Sequence, residues 1–137
     1  MRVLADTSVW IDFFNNFKSR ESQALTSLIE QEIELATCGV IVAEFMQGIR
    51  NLKTLLILEN HFKDMEWFTP KEPDTYLSAA VLFRELRAKG ITIRSTIDCL
   101  IAQLCVENNA LLLSKDHDMK MIIAAGVISV KPMPLSI

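Results

Sequence analysis

The sequence is poor in the features that would commit it to several common classes. Only three of its 137 residues are cysteine, an odd count at Cys38, Cys99 and Cys105 with no C-x-x-C spacing. A disulfide framework and a zinc site are therefore disfavoured, and the three read as reduced thiols of a cytoplasmic protein. No apolar run is long enough to cross a bilayer; the longest weakly polar stretch, Met121 to Val130, is broken by Gly126. Met1-Arg2-Val3-Leu4-Ala5 runs straight into Asp6, so no signal peptide is expected. Basic residues are not in excess: 14 Lys and Arg stand against 17 Asp and Glu, a formal net charge of -3. Overall charge thus gives nucleic-acid binding no support, and any such function must come from a local site. Low-complexity segments, internal repeats and linkers are absent as well, which leaves one domain over residues 1–137 as the expectation.

What is present suits a folded core. Half the residues are apolar and 23% are charged, the balance of a globular chain large enough to bury a full interior. Arg2–Ala5 is a short apolar strand that ends at a helix-start signal, Asp6-Thr7-Ser8. Trp10, Phe13, Phe14 and Phe17 follow at helical spacing, and Leu25, Leu28, Ile29 and Ile33 repeat the pattern in a second helix. Glu34–Thr37 reads as a second strand before a helix through Glu44 to Gly48. Asn51–Met65 is helical, Glu66–Phe68 is a strand, and Asp74 opens a long helix through Tyr76, Ala80, Phe83 and Leu86. Ile97, Leu100, Ile101, Leu104 and Cys105 form the cleanest amphipathic helix. Ala110–Ser114 is a buried strand, Asp118–Ala124 a helix ended by Gly126, and Val127–Val130 a last strand before Pro132 and Pro134. Short apolar strands alternating with helices predict an α/β sandwich with a mostly parallel sheet.

Three acids fall where such a sheet could place function, and a fourth, Glu44, is the odder one. Asp6 and Asp116 each follow an apolar strand, and ligand sites of open parallel sheets lie beyond the carboxyl ends of the strands. Asp98 lies in the first turn of the helix leading to the second of those strands. Glu44 projects from a helix face that reads as largely buried, with no Lys or Arg spaced to pair with it locally. Taken singly, Asp6 and Asp116 are helix caps, and Ser95-Thr96-Ile97-Asp98 is a capping box. If the acids converge, two carboxylates about 5 Å apart repel by roughly 3 kcal/mol at an effective dielectric near 20. A hard divalent cation, Mg²⁺ or Mn²⁺, would then be needed, and such a site hydrolyses phosphate esters.

Three motifs in order resemble those of the PIN-domain ribonucleases, and within them the VapC toxins of toxin–antitoxin pairs. Leu4-Ala5-Asp6-Thr7-Ser8-Val9-Trp10-Ile11-Asp12 is similar to the opening motif. Val42-Ala43-Glu44-Phe45-Met46-Gln47-Gly48-Ile49 resembles the central acidic helix. Thr96-Ile97-Asp98-Cys99-Leu100-Ile101-Ala102 with Leu112-Leu113-Ser114-Lys115-Asp116-His117-Asp118 is similar to the closing pair. Met119 stands where Phe is frequent, and Thr37-Cys38-Gly39 where a small hydroxyl residue is common. The resemblance implies a PIN-like α/β/α fold and an RNA endonuclease using Mg²⁺ or Mn²⁺. Asp6, Glu44, Asp98 and Asp116 would be the metal ligands, Thr7 or Ser114 hydroxyl support, and Asp118 a further acid at the rim. It also implies a homodimer silenced by a cognate antitoxin whose C-terminal segment docks beside the first helix. Arg84, Arg87, Lys89, Arg94, Lys115 and Lys120 are then candidates for phosphate contact, although a solvated helix face explains most of them.

Competing readings fit less well. A response-regulator receiver needs an acidic pair after strand one and a mid-chain phospho-acceptor, but Arg50–Glu59 holds no aspartate. A haloacid-dehalogenase phosphatase needs an aspartate where Ser8 stands. A silent binding module of the same fold would not be expected to keep all four acids. His61, on a polar helix face, and His117 are poor candidates for general bases.

Overall fold

The computed structural model describes residues 1–135. Its elements are β1 (Val3–Ala5), α1 (Thr7–Phe14), α2 (Arg20–Glu30), β2 (Leu35–Thr37), α3 (Gly39–Met46) and α4 (Leu52–Lys63). There follow β3 (Glu66–Trp67), α5 (Asp74–Ala88), α6 (Thr96–Glu107), β4 (Leu111–Leu113), α7 (His117–Ala125) and β5 (Lys131–Pro132). Every strand pairing is parallel and the order is β3-β2-β1-β4-β5. Strands buried on both faces read as unbroken apolar runs, as in Val3-Leu4-Ala5 and Leu111-Leu112-Leu113. Helices flank the sheet: α1 packs on α2 and α3, α5 on α6, and α6 on α7 and β4. Leu4, Leu25, Ile41, Leu82, Leu86, Leu104, Leu112, Leu113 and Met119 lie at the centre of the core.

Progress through the sheet runs outward in one direction from β1 to β3 and in the other from β4 to β5. The reversal lies between β1 and β4, which pair in register from Val3 with Leu111 to Ala5 with Leu113. A crevice opens at such a reversal, beyond the carboxyl ends of the strands. Asp6 and the Ser114–Asp116 turn lie there.

Several local expectations are corrected. The last strand is Lys131–Pro132, not Val127–Val130, and pairs with Leu111 and Leu112. Pro132 is tolerated because β5 is an edge strand, where a missing N–H need not face a neighbour. Helix α1 stops at Phe14, leaving Phe17 outside it at 60% exposure. Phe14, which shares the helical spacing of Trp10, is 45% exposed and meets Phe45 edge-on. On α5 the buried stripe is Thr75, Ala79, Leu82 and Leu86, one residue off the Tyr76–Ala80 line. Glu44 is exposed, because the core face of α3 is Ile41 and Phe45.

Candidate metal centre

Asp6 is placed by the end of β1 and by its own capping role. Its amide donates to the Leu113 carbonyl (3.0 Å), continuing the β1–β4 ladder by one residue. Its carboxylate Oδ1 accepts from the Ser8 amide (3.1 Å) and the Ser8 hydroxyl, which starts α1. Oδ2 accepts from the Ser114 hydroxyl, and Ser114 Oγ in turn accepts from the Asp116 amide (3.0 Å). One serine therefore ties the acid after β1 to the acid after β4. Asp116 caps α7, its Oδ2 accepting from the Met119 amide (3.3 Å). A capping role does not exclude a place in an acidic cluster, since a carboxylate has two oxygens to divide between them.

Asp98 differs from these two. Ser95 caps α6 by accepting from the Ile97 amide (3.1 Å), and the reciprocal half of a capping box is not formed. Among the described residues Asp98 receives no hydrogen bond, although it lies among acids. One oxygen each of Asp98, Asp116 and Asp118 lie within 4.8 Å of one another. Burial, followed by the charges of Asp116, Asp6, Asp118 and Glu44, pushes the Asp98 carboxyl up to about 6. Burial also raises Asp6, against the lowering effect of its serine bonds. All five acids thus share one field. Asp6 and Glu44 lie outside the tightest group, and Glu44 accepts from the Thr7 hydroxyl at 3.2 Å.

Asp118, expected at the rim, is buried within the cluster. Its Oδ2 accepts from both the backbone amide and Nε of Arg94, each at 3.0 Å, and these bonds hold it below the usual carboxylate range. Lys115 is not free for phosphate: its ammonium pairs with buried Asp12 (2.6 Å) and sits 5.0 Å from the centre of the Phe17 ring. Burial pushes Asp12 up, but the bonds from Lys115 and Ser19 outweigh it and leave the carboxyl below normal. Arg87 lies over Phe83 (5.8 Å). Sequence reasoning missed Ser8, Asp12 as partner of Lys115, and the Arg94–Asp118 pair. Only Ser8 carried a signal, as a hydroxyl two residues after a cap.

Hard carboxylate oxygens, crowded and with one member unbonded, fit an oxygen-preferring divalent cation better than a soft metal. Comparison with known proteins agrees with the fold around this cluster. Ribonuclease VapC11 of Mycobacterium tuberculosis is 29% identical over 121 residues, 88% of this chain and 90% of that protein. A VapC ribonuclease of Mycobacterium bovis matches with the same figures. Among solved structures, VapBC-1 from nontypeable Haemophilus influenzae superposes with a TM-score of 0.70 at 18% identity, covering 97% of each chain. FitAcB from Neisseria gonorrhoeae gives 0.65 at 19% identity over 96% of each. The sequence pattern of the PIN domain matches residues 3–123, and the chain belongs to the PIN domain family.

Proposed function

We propose that the chain is a divalent-metal-dependent endoribonuclease of VapC type, acting as the toxin of a toxin–antitoxin pair. The observation that carries this reading is Asp98, an unbonded carboxylate beside Asp116 and Asp118, in a PIN-family chain whose curated relatives are ribonucleases. Asp6, Glu44, Asp98 and Asp116 would hold Mg²⁺ or Mn²⁺. A cation bound there supplies neutralising charge for the phosphodiester oxygens and a lowered pKa for an attacking water. Ser114 and Ser8 fix the Asp6 carboxylate, Thr7 orients Glu44, and the two helix starts hold Asp6 and Asp116 without side-chain freedom. Such rigidity matters because a misplacement of about 1 Å costs orders of magnitude in rate. Purified protein with Mg²⁺ or Mn²⁺ is expected to cleave RNA and leave DNA largely intact. Alanine at Asp6, Glu44, Asp98 or Asp116 should abolish cleavage with the circular dichroism spectrum unchanged. Wild-type rates in both Asp6→Ala and Asp98→Ala overturn the reading.

The same reading makes the protein cytoplasmic, homodimeric and bound by a cognate antitoxin. No helix among the described residues is long and apolar enough to cross a membrane. Phe13 and Phe17 border a cavity of about 430 Å³ between α1 and α2, with exposed rings suited to anchoring a partner segment. On α5, Tyr76, Leu77 and Val81 form an exposed apolar strip that a second copy would cover.

A further inference from the structure

Arg94 lies in the segment between α5 and α6, and its side chain is 74% exposed. An exposed arginine in a loop ordinarily samples many rotamers and contributes little. This one is held at two points. Asp118, whose side chain is only 6% exposed, receives its backbone amide and its Nε on a single oxygen. Nη2 then reaches Oδ1 of Asp116 at 3.4 Å. Bonds from the main chain and the side chain to one buried carboxylate fix where the guanidinium plane lies. A guanidinium has five N–H donors. Nε and one N–H of Nη2 account for two of them. The remaining three have no partner among the described residues, on a side chain that is 74% exposed.

Asp118 is correspondingly committed. The oxygen facing Arg94 carries two charge-assisted or amide bonds, and their loss would expose a buried charge, which is costly. That is the environment of an anchor. Among the described residues Asp98 receives no bond and the outer oxygen of Asp116 has only the long Arg94 contact, whereas one Asp118 oxygen is already taken twice by Arg94.

We propose that Arg94 contacts the RNA phosphate beside the cation, and that Asp118 is its positioning residue rather than a metal ligand. The inference rests on the ribonuclease reading above. Asp98 and Asp116 would help hold the cation, and a phosphate bound beside them would come within reach of the exposed Arg94 side chain. The planar fork of arginine matches two phosphate oxygens at once, which a lysine ammonium does not. The same guanidinium leans on Asp116 and offsets part of the acid repulsion there.

The test compares wild type with Arg94→Ala, Arg94→Lys, Asp118→Asn and the Arg94→Ala/Asp118→Asn double variant. Calorimetric titration with Mn²⁺ alone measures the metal site, and kcat/KM for an RNA oligonucleotide across a salt series measures phosphate contact. Arg94→Ala and Asp118→Asn are each expected to keep Mn²⁺ affinity within a few-fold. Each should lower kcat/KM about tenfold or more, with a salt slope shallower by roughly one phosphate contact. Arg94→Lys should restore the slope but only part of the rate. The double variant should be no worse than Arg94→Ala, because the anchor acts through the arginine. Loss of Mn²⁺ binding in Asp118→Asn makes Asp118 a metal ligand and overturns the assignment. An unchanged salt slope in Arg94→Ala overturns it as well. If Asp118→Asn melts too low to assay, Arg94→Ala and Arg94→Lys decide by slope alone. Absence of any metal-dependent cleavage by wild type removes the ribonuclease reading itself, and the inference with it.

Discussion

Each acid of the cluster is specified by what shares its oxygens, and this sets how the site responds to pH. Asp98 titrates near 6 instead of 3.8, because burial and neighbouring carboxylates disfavour its charge. Between those values the folded chain keeps a proton that the unfolded chain has lost. Metal-free stability therefore falls as pH rises through that window. In EDTA the melting temperature is expected to drop between about pH 4 and about pH 6.5, and Asp98→Asn should flatten that part of the profile. A cation must displace the same proton, so metal-induced stabilisation should shrink below about pH 6. A metal-free profile for Asp98→Asn that overlays wild type would refute the crowding. Ser114→Ala is expected to slow cleavage by roughly tenfold, since the buried Asp6 oxygen loses its donor. Circular dichroism and the rate, read together, separate that effect from unfolding.

At the level of elements, β1, β4 and the helix starts after them were legible because apolar runs and capping residues report directly on local structure. The edge strand β5 was not, because two residues pair through backbone alone and Pro132 argues against a strand. The exposure of Glu44 was hidden for a different reason: which arc of α3 meets the core depends on Phe45 packing against Trp10 and Phe62, partners distant in sequence. The Arg94–Asp118 pair, 24 residues apart and joined through the turn after α5, follows no spacing rule. All five acids lie within the three motifs, whereas the burial of Asp118 needed the fold. The α1–α2 corner supplies a prediction of its own. Phe17 lies beyond the helix, its exposed ring 5.0 Å from the Lys115 ammonium that pairs with Asp12. Phe17→Ser should weaken antitoxin binding, measured by calorimetry, while leaving melting within a few degrees and cleavage unchanged. Unfolding would make Phe17 a core residue, and unchanged affinity would move the partner surface elsewhere.

For the molecule as a whole, a ligand that binds only the native state stabilises it by mass action. A hundredfold excess of Mg²⁺ or Mn²⁺ over its Kd adds about 2.7 kcal/mol, which for a chain of this size is a rise of roughly 10 °C. Equal melting with metal and with EDTA would rule the metal site out. Sedimentation is expected to give twice the 15.5 kDa chain mass, and Val81→Glu on the α5 strip to shift it toward one. The β1–β4 pairing also fixes when the site comes into being. Asp6 and Ser114 are 108 residues apart, and neither is positioned until their strands join. Contacts of such separation are slow to form and come late in folding. A chain still emerging from the ribosome carries Asp6 and Glu44 but has no partner strand to set them against. On the ribonuclease reading proposed above, an emerging chain would hold its acids apart until β1 and β4 pair, and cleavage would have to wait for that pairing.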